Sequence, residues 1–215
     1  DYYASRGLGD VYKRQPWKGQ TLYTYEGCND GYALGGGTTC TGYYMRKLFD
    51  ENLPKNGIRA TDLTYYYMRY AEVLLIYAEA MAEQGDIPAA LEALNEVRAR
   101  VDLPAKSAKN KTEFMKLLRH ERMIELAFEG HRFYDIRRWR IAGLDEVRNL
   151  YGVKITKSGT SLSYEKVLLQ QMYWNDKMYL FPYPQNEIYM NPDLGQNPGW
   201  SNGCLLYTSP SPRDA

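Results

Sequence analysis

The stretch YYYMRYAEVLLIYAEAMAEQGDIPAALEALNEVRAR, residues 65–100, decides the fold. Tyr66, Tyr70, Val73, Leu74, Tyr77 and Met81 share one face at helical spacing, which predicts a helix over Tyr65–Gln84. Met68, Ala71, Leu75, Ala78 and Ala82 widen the apolar surface and leave only a narrow polar strip of Arg69, Glu72, Glu79 and Glu83. Such a helix is expected to be largely buried. Gly85 suits the left-handed residue that ends a helix, Asp86 an N-cap, and Pro88 the first turn of the next helix. A second helix running to about Arg100 is therefore expected after a very short connection. Ala90, Leu91, Ala93, Leu94 and Val97 give it a small-residue face able to approach the first helix closely, as an antiparallel hairpin.

Downstream, Thr112 is the expected cap of a third helix over Glu113–Glu129 that ends at Gly130. Phe114, Leu117, Leu118, Ile124 and Phe128 form its apolar face, yet Glu121 and Glu125 fall at the centre of that face. A buried charge without a partner is strongly destabilising, so these carboxylates require cations. Arg69, Arg122, Arg132, Arg137 and Arg138 are candidates, because a guanidinium satisfies a carboxylate at two points. The expected result is a structural ion-pair core of Arg69, Glu121, Glu125, Arg137 and Arg138. Residues 144–178 mix Gly, Ser and Tyr without a clear period, and the Pro-rich tail from Met178 reads as an extended strap with a short turn. Upstream, residues 16–63 carry Gly19, Gly27, Gly31, Gly35-Gly36-Gly37, Gly42 and Gly57, and read mostly as loop. Cys28 and Cys40 in this stretch are either a disulfide or two free thiols. The helix pair resembles one tetratricopeptide unit, without a second copy at that period.

The two ends read differently from the rest. Val11–Gln15 can be encoded as GTG TAT AAG AGA CAG, whose reverse complement, shifted by one base, encodes Cys-Leu-Leu-Tyr-Thr, the sequence of Cys204–Thr208. Inverted copies of one DNA sequence at both ends point to translated adapter, so residues 1–15 and 204–215 are expected to be non-native and 16–203 to be a piece truncated on both sides. Of the 215 residues, 44% are hydrophobic and 25% charged, and the net charge is +1. That balance provides no field for nucleic acid, which is not expected as a partner. No run reaches the roughly 18 apolar residues of a membrane span.

Catalytic readings fail on geometry or composition. Glu121 and Glu125 lie one turn apart on one helix and point the same way, whereas the carboxylates of a glycosidase flank a bond from opposite sides. His120-Glu121 begins like a zinc-protease helix, but Ile124 stands where the second His is needed. His131 lacks a Ser or Cys in a strained elbow and reads as a structural histidine. Gly35-Gly36-Gly37 lacks the spacing of a phosphate loop. No catalytic residue, metal or cofactor is therefore expected. What remains are aromatic rings in loops, among 21 Tyr and 4 Trp. Sugar rings stack their apolar faces on such side chains. Trp17, Tyr23, Tyr25 and Trp174 are the candidates by residue type and setting.

Several stretches together resemble the SusD/RagB family. They are Thr41–Lys47 (TGYYMRK), Tyr67–Ala80 (YMRYAEVLLIYAEA), Ala90–Arg100 (ALEALNEVRAR), Arg119–Trp139 (RHERMIELAFEGHRFYDIRRW), Tyr179–Ile188 (YLFPYPQNEI) and Gln196–Trp200 (QNPGW). Their order and spacing run from about residue 41 to 200. The resemblance implies an all-α, tetratricopeptide-like fold with a loop-rich C-terminal region. It implies a cell-surface protein held on the outer membrane by an N-terminal lipid anchor, which binds glycan without catalysis and delivers it to a SusC-type TonB-dependent transporter. The family's ligand residues sit in variable loops, so none is carried over by motif match. The competing expectation is a tetratricopeptide-like protein-interaction module that binds no glycan, which tandem repeats would have supported.

Overall fold

The computed structural model describes residues 16–17, 20–21, 23–31, 39–45, 47, 66–191 and 193–200. Segments 1–15 and 204–215, the Gly35–Gly37 run, Tyr65 and the Trp17 side chain lie outside the described residues. In chain order the elements are β1 (Pro16–Trp17), β2 (Gln20–Thr21), α1 (Tyr70–Gln84), α2 (Ile87–Ala99), α3 (Lys111–Glu125), α4 (His131–Arg138), α5 (Asp145–Arg148), β3 (Asn149–Ser158), β4 (Ser161–Gln171) and α6 (Gln185–Met190). The chain divides into two compact units, one of residues 1–135 and 150–170, the other of 136–149 and 171–215.

In the first unit α1, α2 and α3 pack on one another. The α1–α2 connection forms as its residues require. Gly85 is left-handed at φ 93° and its backbone N–H bonds Ala82 and Met81 carbonyls, while Asp86 accepts from the Ala89 N–H at 3.0 Å. Close approach selects the small faces: Ala71, Leu75, Ala78 and Ala82 of α1 are buried, as are Ala90, Ala93, Leu94 and Val97 of α2. This corrects the expectation that the helix is largely buried, because Tyr66, Met68, Tyr70, Val73, Ile76 and Tyr77 are exposed. Phe114, Met115 and Leu118 of α3 complete the core. The cap of α3 is Asn110, whose side chain accepts from the Glu113 N–H at 3.0 Å; the expected Thr112 is the second residue of the helix.

The all-α expectation needs a second correction. Residues 149–171 form a two-stranded sheet, β3 against β4, linked by Gly159-Thr160. So short a connection joins antiparallel strands, and Gly159 at φ 57° supplies the left-handed residue the turn demands. Two loops fasten to β3: the Val153 N–H donates to the Thr41 carbonyl at 2.9 Å and the Ile155 carbonyl accepts from the Glu26 N–H at 2.7 Å. Gly42, buried and at φ 76°, sits so close that a Cβ there would lie 2.2 Å from the Val153 carbonyl oxygen. Gly42→Ala therefore combines a left-handed penalty of roughly 1–2 kcal/mol with a clash against backbone. Hydrogen exchange is expected to show the Val153 amide losing protection and the urea midpoint falling.

In the second unit Ile136, Ile141, Ala142 and Val147 form a small core, with Trp139, Trp174 and Tyr179 packed on it. The tail is more ordered than an extended strap: a 3-10 turn at Asp176–Tyr179 precedes α6, which starts directly after Pro184. Proline at that position costs no helical hydrogen bond, because it is the N-cap and its missing N–H lies ahead of the helix. Among the described residues no helix is long and apolar enough to cross a membrane.

Candidate functional site

The loop docked on β3 presents the aromatic pair that the sequence singles out. Thr24 is buried, and Tyr23 and Tyr25 flank it on either side. Tyr23 is 42% exposed and Tyr25 half-buried, their ring centroids 5.9 Å apart and tilted by 60°. The loop is held from within as well as from β3. The Cys28 N–H donates to the Tyr25 carbonyl at 3.2 Å and the Gly31 N–H to the Cys28 carbonyl at 3.1 Å. Gly31 has no room for a side chain, since a Cβ would lie 2.2 Å from the Tyr25 carbonyl oxygen. Lys154 pairs with Glu26 at 3.4 Å, and the Lys157 ammonium stands 4.9 Å from the Tyr25 ring centroid. The thiols of Cys28 and Cys40 are free, the first half-buried and the second exposed.

Trp174 has a different setting. It is half-buried on the core of the second unit, edge-on to Tyr179 at 4.8 Å, with the Arg137 guanidinium 5.3 Å from its ring. Gly143 lies directly beneath the indole, where a Cβ would be 2.9 Å from Cδ1. A ring so engaged by neighbours presents less free face to a ligand than Tyr23 does. Trp200, which sequence reasoning did not single out, donates through Nε1 to the Lys177 and Leu180 carbonyls, each at 3.0 Å, and carries the Lys177 ammonium 4.3 Å from its ring.

The buried charges are paired. Arg69 bonds Glu125 at 2.6 Å through Nη1 and Glu129 at 2.8 Å through Nε, and its Nη2 reaches the Glu125 carbonyl at 2.6 Å. Arg100 adds a 2.7 Å bond to Glu125, and Lys47 bonds Glu129. Glu121 instead takes Arg98, at 2.5 Å. Arg122 grips Asp135 through two nitrogens at 2.9 and 3.2 Å. The expected core thus gains Lys47, Arg98, Arg100, Arg122, Glu129 and Asp135. Arg137 and Arg138 belong to the second unit, where they lie over Trp174 and Trp139, the latter at 4.5 Å. Arg98 was legible in principle, since Ala90, Leu94 and Arg98 lie on one stripe of α2 whose first two members are core. His131 faces Glu72 at 3.5 Å.

Burial pushes the Glu129 carboxyl up, but the hydrogen bonds and positive charges of Arg69 and Lys47 outweigh it and hold the group below the ordinary range. A depressed carboxylate stabilises the fold fully above its unfolded value of about 4.3 and loses that contribution as pH falls toward the folded value. Unfolding free energy is expected to drop below about pH 4.3, and Glu129→Gln to drop less steeply over the same range. Urea titrations across that range check the slope.

The SusD family's sequence pattern matches residues 5–200, and the chain belongs to that family. It is 32% identical over 158 residues to SusD-like protein P2 of Formosa agariphila, a match covering 69% of this chain and 28% of that protein. A solved SusD-like protein of Bacteroides fragilis superposes with a TM-score of 0.70 at 35% identity, over 84% of this chain and 34% of that one. A SusD superfamily structure from Parabacteroides distasonis, 22% identical, shares the fold with a TM-score of 0.51 over 92% of this chain and 41% of that one. The chain thus spans less than a third of the curated relative and about a third of the Bacteroides structure.

Proposed function

We propose that this chain is the C-terminal part of a cell-surface glycan-binding lipoprotein of the outer membrane, which captures oligosaccharide and hands it to a SusC-type TonB-dependent transporter without chemical change. Family membership supports the class, and the solvent-facing Tyr23 ring, set beside Tyr25 on a loop fastened to β3, carries the assignment. Stacking on such a ring favours a pyranose face, while hydroxyls find polar partners at the rim. Glu121 and Glu125, the paired carboxylates of the sequence, are each held by arginine, which suits a scaffold and not an acid–base pair.

The exposed face of α1, with Tyr66, Tyr70, Val73 and Tyr77, is where the remainder of the longer protein would pack. The share of the relatives that this chain spans supports that reading. Affinity electrophoresis through gels carrying different polysaccharides tests the function. Retardation by at least one glycan, with no reducing ends released on long incubation, is expected. Folded protein that no glycan retards contradicts glycan capture by this chain, and steady product release contradicts the non-catalytic role.

A further inference from the structure

We propose that Tyr23, Tyr25 and Lys157 form a subsite selective for an acidic sugar, one bearing a carboxylate or a sulfate. The inference rests on the glycan-binding reading and adds the chemical class of the ligand. Three observations converge on it. First, the loop carries two carboxylates and the strand beneath it two ammoniums; Glu26 is taken by Lys154, and Asp30 lies beside Tyr44. Lys157 is left over: it is exposed, and its contact among the described residues is the Tyr25 ring, with no carboxylate partner. Second, that ammonium is placed rather than free. A cation over an aromatic face is held by the ring's negative potential, which reduces the ordering cost of a later ion pair. The ammonium carries three donors, which remain available to an anion. Third, the cation stands over Tyr25 while the more exposed neighbouring ring, Tyr23, is open to solvent. A pyranose stacked on Tyr23 would lie one ring away from that charge, with centroids 5.9 Å apart.

The backbone around the subsite supports a formed site. The Glu26 N–H to Ile155 carbonyl bond ties the loop to the strand that carries Lys154 and Lys157. Elsewhere in the loop, Asp30 lies beside Tyr44, whose hydroxyl donates to the Asp30 carbonyl at 3.1 Å.

Matched pairs of ligands separate charge from ring shape. The full chain is titrated with oligogalacturonate and its fully methyl-esterified counterpart, and with a sulfated galactan oligosaccharide and its desulfated form, at low and high salt. A charge-assisted contact is expected to make the acidic member of at least one pair bind roughly 10-fold tighter. Lys157→Gln should erase that preference, and Tyr23→Ala should weaken both members. Circular dichroism confirms that the variants are folded. Equal binding within both pairs, binding confined to neutral members, or a preference that survives Lys157→Gln overturns the acidic subsite while leaving glycan capture standing. Absence of binding to every glycan, including those of the polysaccharide gels, overturns both.

Discussion

Arg69→Leu is expected to lower the unfolding free energy by about 3 kcal/mol, the low end of the range for removing one partner of a buried pair, because the Arg69 side chain itself is 24% exposed. One guanidinium serves two carboxylates, and both are nearly out of water, with side-chain exposures of 9% for Glu125 and 7% for Glu129. Taking it away leaves Glu125 with Arg100, more than half exposed, and Glu129 with Lys47. Neither replaces the forked donor. Arg69→Lys should recover only part of the loss, because an ammonium is a single point of charge and cannot span both acids. Urea unfolding gives the number directly. A loss under about 1 kcal/mol would place the network among solvent-screened pairs, which contribute little.

The second large effect concerns Arg98 and Glu121, of which 2% and 6% of the side chain is exposed. Either single truncation to an apolar residue strands a charge, at a cost of about 3–5 kcal/mol. Arg98→Met and Glu121→Leu together should cost far less than the sum and come close to neutral, since well-packed apolar pairs commonly match buried ion pairs. The residual loss expected in the double variant is the bond from Arg98 Nε to the Pro104 carbonyl, at 3.0 Å, which fastens the α2–α3 connection. A double-mutant cycle read by thermal and urea unfolding checks both parts. Additive single losses would show that the two charges do not act as a pair.

Much of the helical unit was readable in sequence because its signals are local. Gly85, Asp86 and Pro88 dictate a tight link between two helices, and the structure has it there. The buried face of α1 was not readable. Two stripes at helical spacing compete on that helix, one of Tyr and Val and one of Ala and Leu, and hydrophobicity alone favours the first. The partner decides: α2 offers Ala90, Ala93, Leu94 and Val97, and helices that approach closely need small residues on both sides. The hairpin over 149–171 had a usable signal in Val153, Ile155 and Gly159, obscured by strands exposed on much of their surface. Without a buried face, alternation weakens.

The candidate site divides the same way. Glu121 and Glu125 announced themselves as acids on an apolar stripe, yet the identity of their cations depended on which helices meet, and Arg98 was not among the candidates. Among the aromatics, residue type could not separate Tyr23, which faces water, from Trp174, which caps a small core over Gly143. Only tertiary context distinguishes a ring that holds the fold from one that is free to hold a ligand.

Hydrogen exchange of the full chain, with and without a glycan that retards it in gels, measures where a glycan touches the protein. Added protection is predicted at residues 23–31 and along β3, and is predicted to disappear in Tyr23→Ala. Protection confined to residues 173–200, with Tyr23→Ala binding as well as the wild type, would contradict it.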